Sequence, residues 1–312
     1  MFTGKSIRVA SLGDGLYELC FDRQGESVNK FDLGTHAELA TAFADVKSVP
    51  DLKGLLISSA KNVFIVGADI FEFIPLFKKS QSDVSAEMQR CSNGFSAFET
   101  LPVPTVCAIN GYALGGGFEM ALVADYRVMS SQAQVGFPEV TLGIIPGYGG
   151  TVRLPRALKA DVNLEVALNW ITSGAPQKAD AALAAGAVDV VAEPDALRLT
   201  ALQLLNDAVS GKKDWRAKRT QRLAPCARDA AAVERVRAGL GARPHLLPAA
   251  TAALESIARS ISQPIAEALA TEAQDFSVVA RTDDAAHNVQ KFIDDQEAKR
   301  KAKLAAVKGS KG

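Results

Sequence analysis

Apolar and polar residues alternate over residues 7–10 and 16–21, on either side of Gly13-Asp14-Gly15, which predicts a β-hairpin. Residues 31–46 place Leu33, Leu39, Phe43 and Val46 at helical spacing and stop short of Pro50, so a helix is expected there. The aliphatic run 52–58 reads as a short buried strand. An apolar segment over 62–69 is broken by Gly67 and leads into an aromatic, helix-like piece over 70–77 that contains Pro75. Val84, Met88, Cys91, Phe95 and Phe98 step by four, three, four and three, which marks an amphipathic helix ending at Leu101-Pro102. A buried strand over 104–109, a helix over 117–123 and strands near 126–129 and 134–137 follow. Beyond Gly150 strands thin out and helical patterns cover 161–171, 178–185, 194–209 and most of 230–303, with WRAKR (215–219) and RPHLLP (243–248) as punctuation. Strands alternating with helices argue for an α/β protein with a partly parallel sheet.

The 312 residues, 48% of them hydrophobic, suffice for one large α/β domain or two smaller ones with a sizeable core. Lys+Arg and Asp+Glu are equal at 35 each, so no overall field recommends nucleic acid or an anionic membrane, and any anion recognition must be local. Cys20, Cys91, Cys107 and Cys226 are scattered, with neither a CxxC pair nor a Cys/His cluster, and no metal is expected. None of His36, His245 and His287 stands beside a suggestive Ser, Cys or Asp, so triad and zinc chemistry lack their parts. The N-terminus has no apolar signal-peptide core and no run of eighteen apolar residues occurs, which leads to the expectation of a cytoplasmic protein without membrane insertion. The tail over 297–312 is basic and reads as a solvated helix end or linker.

The stretch from Asn110 to Gly150 concentrates glycines and places two acidic residues in apolar surroundings. Glu119 follows Gly115-Gly116-Gly117, and Glu139 comes twenty residues later, after Pro138. Burying an ionised carboxylate without a partner is costly, so each is either satisfied locally, as a helix-start and a turn residue, or used in chemistry. The three glycines would present free amides at a helix N-terminus, and Gly67-Ala68 would supply another. Two such amides converging on one carbonyl oxygen make an oxyanion hole; tight packing is the other reading of a glycine run. Neither a GxxxxGK[ST] phosphate loop nor a dinucleotide GxGxxG is present.

Together, GAD (67–69), PTVCAINGYALGGGFE (104–119) and FPEVTLGIIPGYGGTVRLPR (137–156) resemble the crotonase, or enoyl-CoA hydratase/isomerase, superfamily. The likeness spans essentially the whole chain and is nearest to the N-terminal hydratase half of the bacterial multifunctional fatty-acid oxidation α subunits. It is carried there by SVNKFDLGT (27–35), DLKGLLISSAKNVFIVGADIFEF (51–73), DWRAKRTQRLAP (214–225) and DFSVVARTDDAAHNVQKFIDDQEAKRKAK (275–303).

What this resemblance implies is a crotonase-like spiral of ββα units over residues 1–200 that carries the active site, a helical C-terminal region over 201–296, and the basic tail or linker over 297–312. Glu119 and Glu139 match the family's catalytic glutamates, and Ala68 and Gly116 its oxyanion-hole positions. Val28, Lys30, Val66, Ile70 and Gly115 match segments along the substrate and CoA groove. Phe292 matches a CoA-contacting Phe, whereas the Lys expected three residues later is Asp295, as in the multifunctional subunits; Asp295 is itself a candidate substrate contact. The implied activity is addition of water to trans-2-enoyl-CoA in fatty-acid β-oxidation, with 3-enoyl to 2-enoyl isomerisation as a second activity. Coenzyme A enters as part of the substrate, with no other cofactor. Another acyl-CoA-converting member or a non-catalytic binding member are the alternatives, against which the two glutamates favour hydration. Partners follow the same division: a homo-oligomer (trimer or hexamer) as in simple hydratases, or a thiolase subunit as in the multifunctional complex, whose α subunit continues into a dehydrogenase half. The chain reads either as an independent enzyme or as a truncated copy of that subunit. Acyl-chain length is expected to depend on a pocket lined by residues 71–94.

Overall fold

The structure, a computed structural model, describes residues 1–159, 162 and 164–309. The hairpin of β1 (Ile7–Gly13) and β2 (Leu16–Phe21) is antiparallel and turns through Asp14 at φ 52°, a left-handed conformation that a short polar side chain tolerates. It is followed by β3 (Gly54–Ser59), β4 (Thr105–Ile109), β5 (Tyr112–Leu114), β6 (Tyr126–Ser130), β7 (Gln134–Gly136), β8 (Gln177–Lys178) and β9 (Val190–Ala192). Six strands form one sheet in the order β1-β2-β3-β4-β6-β9, parallel from β2 onward, and β5-β7-β8 form a second. β4 pairs with β6 while β5, which follows β4, pairs with β7, which follows β6, so successive ββα units stack in step. β4 and β6 are buried at every position, so neither shows an apolar-polar alternation, and β6 buries Arg127 within it.

The helices are α1 (Leu33–Lys47), α2 (Phe73–Phe77), α3 (Gln81–Ser96), α4 (Gly116–Leu122), α5 (Gly150–Ala157), α6 (Leu164–Ser173), α7 (Ala179–Ala185), α8 (Leu197–Val209), α9 (Trp215–Leu223), α10 (Ala230–Leu240), α11 (Leu247–Ser260), α12 (Ile265–Val279) and α13 (Asp283–Gly309). Asp32 caps α1 by accepting from the Thr35 amide, and α3 buries Val84, Met88, Cys91 and Phe95, the stripe read from the sequence. One face of the large sheet is covered by α8 and Trp215, packed on Leu56, Val106 and Val128; the other is continuous with the core that holds α3, α4 and α10 to α12. Each large apolar side chain fully buried there contributes roughly 1.5–3 kcal/mol.

Five elements are absent from the sequence expectation. β5, β8 and β9 are two or three residues long and exist through pairing with distant chain, which no local alternation announces. The helix α5 carries Pro155 inside it and starts in glycines, both of which argue locally against a helix. In α9 the buried face is Trp215, Arg219 and Arg222, so the helix docks through charge pairs where an apolar stripe was sought. The helix expected from residue 161 begins at Leu164, and residues 160, 161 and 163 lie outside the described residues, as do residues 310–312 of the basic tail. Among the described residues no helix is long and apolar enough to cross a membrane.

Candidate active site

The local backbone around the glycine run explains why glycine is needed there. Gly115 takes φ 50° and ψ −125°, and a Cβ on it would lie 2.5 Å from Glu139 Oε1. A side chain at this position is therefore excluded by backbone strain and by the carboxyl above it. The Gly115 amide donates to the Gly136 carbonyl, while the amide of Gly116, first residue of α4, has no hydrogen-bond acceptor among the described residues. On the facing segment Gly67 has φ 116°. Phe31 donates to the Gly67 carbonyl and accepts from Asp69, and because successive amides of an extended chain point opposite ways, the Ala68 amide is turned away from Phe31 and likewise donates to nothing described.

Glu119, 1% exposed on α4, accepts at Oε1 from the amides of Tyr148 (2.8 Å) and Gly150 (2.7 Å). Glu139 stands in a 3-10 turn (Pro138–Leu142) and its buried Oε2 has no hydrogen-bond partner among the described residues. Both carboxyls are held above the usual carboxylate range. For Glu119 burial dominates, followed by the charges of Glu272 and Glu139, with the Tyr148 and Gly150 amides pulling the other way. For Glu139 burial again dominates, opposed by its own backbone amide and reinforced by Glu272. Burial thus favours the protonated form of both carboxyls, and the charge of Glu272 adds to it at each.

Both carboxyls line one apolar cavity of about 250 Å³, together with Val66, Ala68, Ile70, Gly115, Gly116 and Phe292. Eight of the eleven residues singled out in the sequence are thus brought to one place; Val28, Lys30 and Asp295 do not line it. Lys30 is paired with Glu26 and Asp69 at 3.0 Å each, and Asp295 is exposed on α13. Of the segment 71–94, Phe73 and Met88 reach the cavity, whereas Phe71 is 52% exposed.

Other residues of the site carry no local signature. Tyr148 and Phe276 line the cavity, the latter from α12. Arg153 is fully buried and donates to the Tyr148 carbonyl and to both oxygens of Glu99. Glu272 is fully buried on α12 and accepts from Gly149 and Thr151. The only sequence signal was a Glu inside an Ala-rich helix pattern, which is indistinguishable from a surface position without the fold.

A second cavity of about 240 Å³ shares Ala68, Phe73, Met88 and Tyr148 with the first and is lined also by His36. The His36 ring is stacked on Phe31, its Nε2 has no partner among the described residues, and burial, chiefly, pushes its pKa down to about 4. The unfolded chain takes up this proton near pH 6.5 and the folded one only near 4, so stability falls as pH drops through that window, by about 3 kcal/mol in all. Denaturant melts of His36→Phe against the parent between pH 7 and 4 should show a shallower loss in the variant; parallel curves would remove His36 as the cause.

Fold and site together define a crotonase-type protein: a spiral of ββα units in which the carboxyls of Glu119 and Glu139 and the backbone of Ala68 and Gly116 line one apolar pocket. The sequence profile of the Enoyl-CoA hydratase/isomerase family matches residues 13–240. The fatty acid oxidation complex subunit alpha of Pseudomonas entomophila is 44% identical over 310 residues, covering 97% of this chain and 42% of the relative. The chain therefore spans less than half the length of the curated relatives it matches. A carnitinyl-CoA dehydratase from Mycobacterium thermoresistibile superposes with a TM-score of 0.72 at 18% identity, over 93% of this chain and 90% of that one. An enoyl-CoA hydratase from Bacillus anthracis gives 0.59 at 24% identity, over 93% and 96%. At such identities these two structures speak for the fold alone. The chain belongs to the enoyl-CoA hydratase/isomerase family.

Proposed function

We propose that this protein adds water across the double bond of trans-2-enoyl-CoA to give 3-hydroxyacyl-CoA, the hydration step of fatty-acid β-oxidation. The observation that carries the reading is the pair of carboxyls, Glu119 and Glu139, on one apolar cavity lined also by Ala68 and Gly116, whose amides have no acceptor among the described residues.

The chemistry follows from charge. Water attack at C3 moves the electron pair of the double bond toward the thioester, and negative charge develops on its oxygen as an enolate. The Ala68 and Gly116 amides stabilise that oxygen without reorganising. Glu119, fixed by two amide donors on Oε1, takes a proton from the attacking water. Glu139 gives its proton to C2, which restores the carbonyl. One protonated and one ionised carboxyl are what the reaction requires, and two close carboxyls in a buried site favour that state. The unpartnered Oε2 of Glu139 also supports isomerisation, since a carboxylate there can carry a proton between C4 and C2 of a 3-enoyl thioester. Coenzyme A is part of the substrate and no further cofactor takes part. A cytoplasmic location, and association with further copies of the chain as a trimer or hexamer or with a thiolase subunit, belong to the same proposal.

The test is decay of the ultraviolet absorbance of the conjugated enoyl thioester when protein is added, across short to long acyl chains, with the native mass measured on the same preparation. Saturable decay at one or more lengths is expected. A flat trace at every length would favour a binding protein instead.

A further inference from the structure

We propose that Glu272 is a positioning residue for the carboxyl pair: it clamps the backbone segment whose amides hold Glu119, and its charge, once ionised, opposes ionisation of the pair. The kinetic consequences rest on the hydratase reading; the geometry does not.

Four successive amides at the start of α5 are divided alternately between two buried carboxyls. Tyr148 and Gly150 donate to Glu119 Oε1 at 2.8 and 2.7 Å, while Gly149 donates to Glu272 Oε1 at 2.5 Å and Thr151 to Glu272 Oε2 at 2.8 Å. The Thr151 hydroxyl adds a bond of 2.5 Å to the same Oε2. The segment is therefore gripped from both sides, and a shift of Glu272 must move the donors of Glu119 with it. Glu272 does not line the cavity, so it acts through this segment and through its charge rather than by touching substrate.

The donor pattern also sets where negative charge rests. Glu272 has donors on both oxygens and Glu119 on one, while Glu139 Oε2 has none. Burial pushes Glu272 itself up to about 7, against its donors on both oxygens, and Glu139 up to about 8, so Glu272 ionises ahead of Glu139 and its charge then opposes ionisation of the other two. Other groups around Glu272 are Arg153 and Arg156 on α5, while Tyr148 and the Cys91 thiol on α3 stand near Glu119. The α11 residue Arg259 pairs with Asp275, also on α12. A third buried carboxyl beside the pair has a use in this arrangement: it delays loss of the Glu139 proton as pH rises.

The experiment compares Glu272→Gln with the parent in two readouts. In unliganded protein, carboxyl titration is followed by difference infrared spectroscopy against pH. In turnover, kcat and KM for an enoyl-CoA are measured against pH. Removing the charge should move the carboxyl titration and the basic limb of kcat/KM to lower pH by about one unit. It should also lower kcat roughly tenfold with KM nearly unchanged. Titration and pH profile superimposable on the parent, with only thermal stability altered, would overturn the proposal by reducing Glu272 to a structural residue. Should Glu272→Gln not fold, Thr151→Val keeps the carboxyl and removes one donor to its charge; the same shifts are expected at smaller size, and an unmoved profile there is equally adverse. An infrared shift in a protein without hydratase activity would reject the hydration reading while leaving the control of the pair by Glu272 intact.

Discussion

Glu139→Gln is expected to lower kcat for enoyl-CoA hydration by about 10²–10⁴-fold, with KM changed little and the fold retained. The substitution keeps the size of the side chain and removes only its transferable proton. It introduces no new clash with Gly115, whose missing side chain already makes room for the carboxyl. Because burial makes ionisation of Glu139 unfavourable, an uncharged amide in its place should leave the melting temperature unchanged or slightly raised. Glu119→Gln should have a similar kinetic effect for a different reason. Its amide oxygen still accepts from Tyr148 and Gly150, so positioning survives while the base is lost. The measurement is the absorbance assay on both variants beside their thermal melts. Turnover close to the parent in both would sink the assignment of the two glutamates; loss of turnover together with loss of folding in both would leave the roles to be read from Asp substitutions.

Arg153→Met should cost about 3 kcal/mol of stability and also reduce kcat, which links the buried charge network to the site. The Arg153 guanidinium is 0% exposed and meets both oxygens of Glu99 at 3.2 and 3.1 Å, the Ser96 hydroxyl at 2.8 Å and the Tyr148 carbonyl at 2.8 Å. Burial pushes the Glu99 carboxyl up, but Arg153 and Arg222 together outweigh this and hold it below its ordinary range. Without Arg153 the buried Glu99 keeps only Arg222, at 2.7 Å, and the Tyr148 carbonyl loses its donor. Tyr148 is the residue whose amide holds Glu119, so loosening it displaces the base as well. Denaturant melts and kcat on the same preparation check both effects. A loss below about 1 kcal/mol with unchanged kcat would show that Arg222 alone satisfies Glu99.

How much was legible differs from element to element, for physical reasons. The α3 stripe and the hairpin around Asp14 were readable because their apolar spacing matches a helix and a strand period that the chain keeps locally. Glu119 and Glu139 were suspicious because acidic residues stood in apolar runs beside glycines, although only the family resemblance gave them roles. By contrast, α5 is held as a helix in spite of Pro155 and its glycine start, with Glu272 accepting from the amides of Gly149 and Thr151. The face of α9 that docks is made of Trp215, Arg219 and Arg222, and nothing local in the sequence shows that Asp125 and Glu99 stand opposite the two arginines.

By itself the chain's order of residues determined where buried strands and amphipathic helices form, where backbone requires glycine, and which two carboxyls stand in apolar company. All of these are set by neighbours within a few residues, through steric limits on the backbone and the periodicity of burial. Only the tertiary structure decided that Ala68 and Gly116, from separate units of the spiral, line one cavity with amides that have no acceptor among the described residues, that Lys30 is neutralised by Glu26 and Asp69, that Phe276 reaches the cavity from α12, and that Glu272 from the same helix holds the segment beside it. Those facts depend on contacts between residues far apart in the chain, and on donors and acceptors that acquire partners only when the helices close over the sheet.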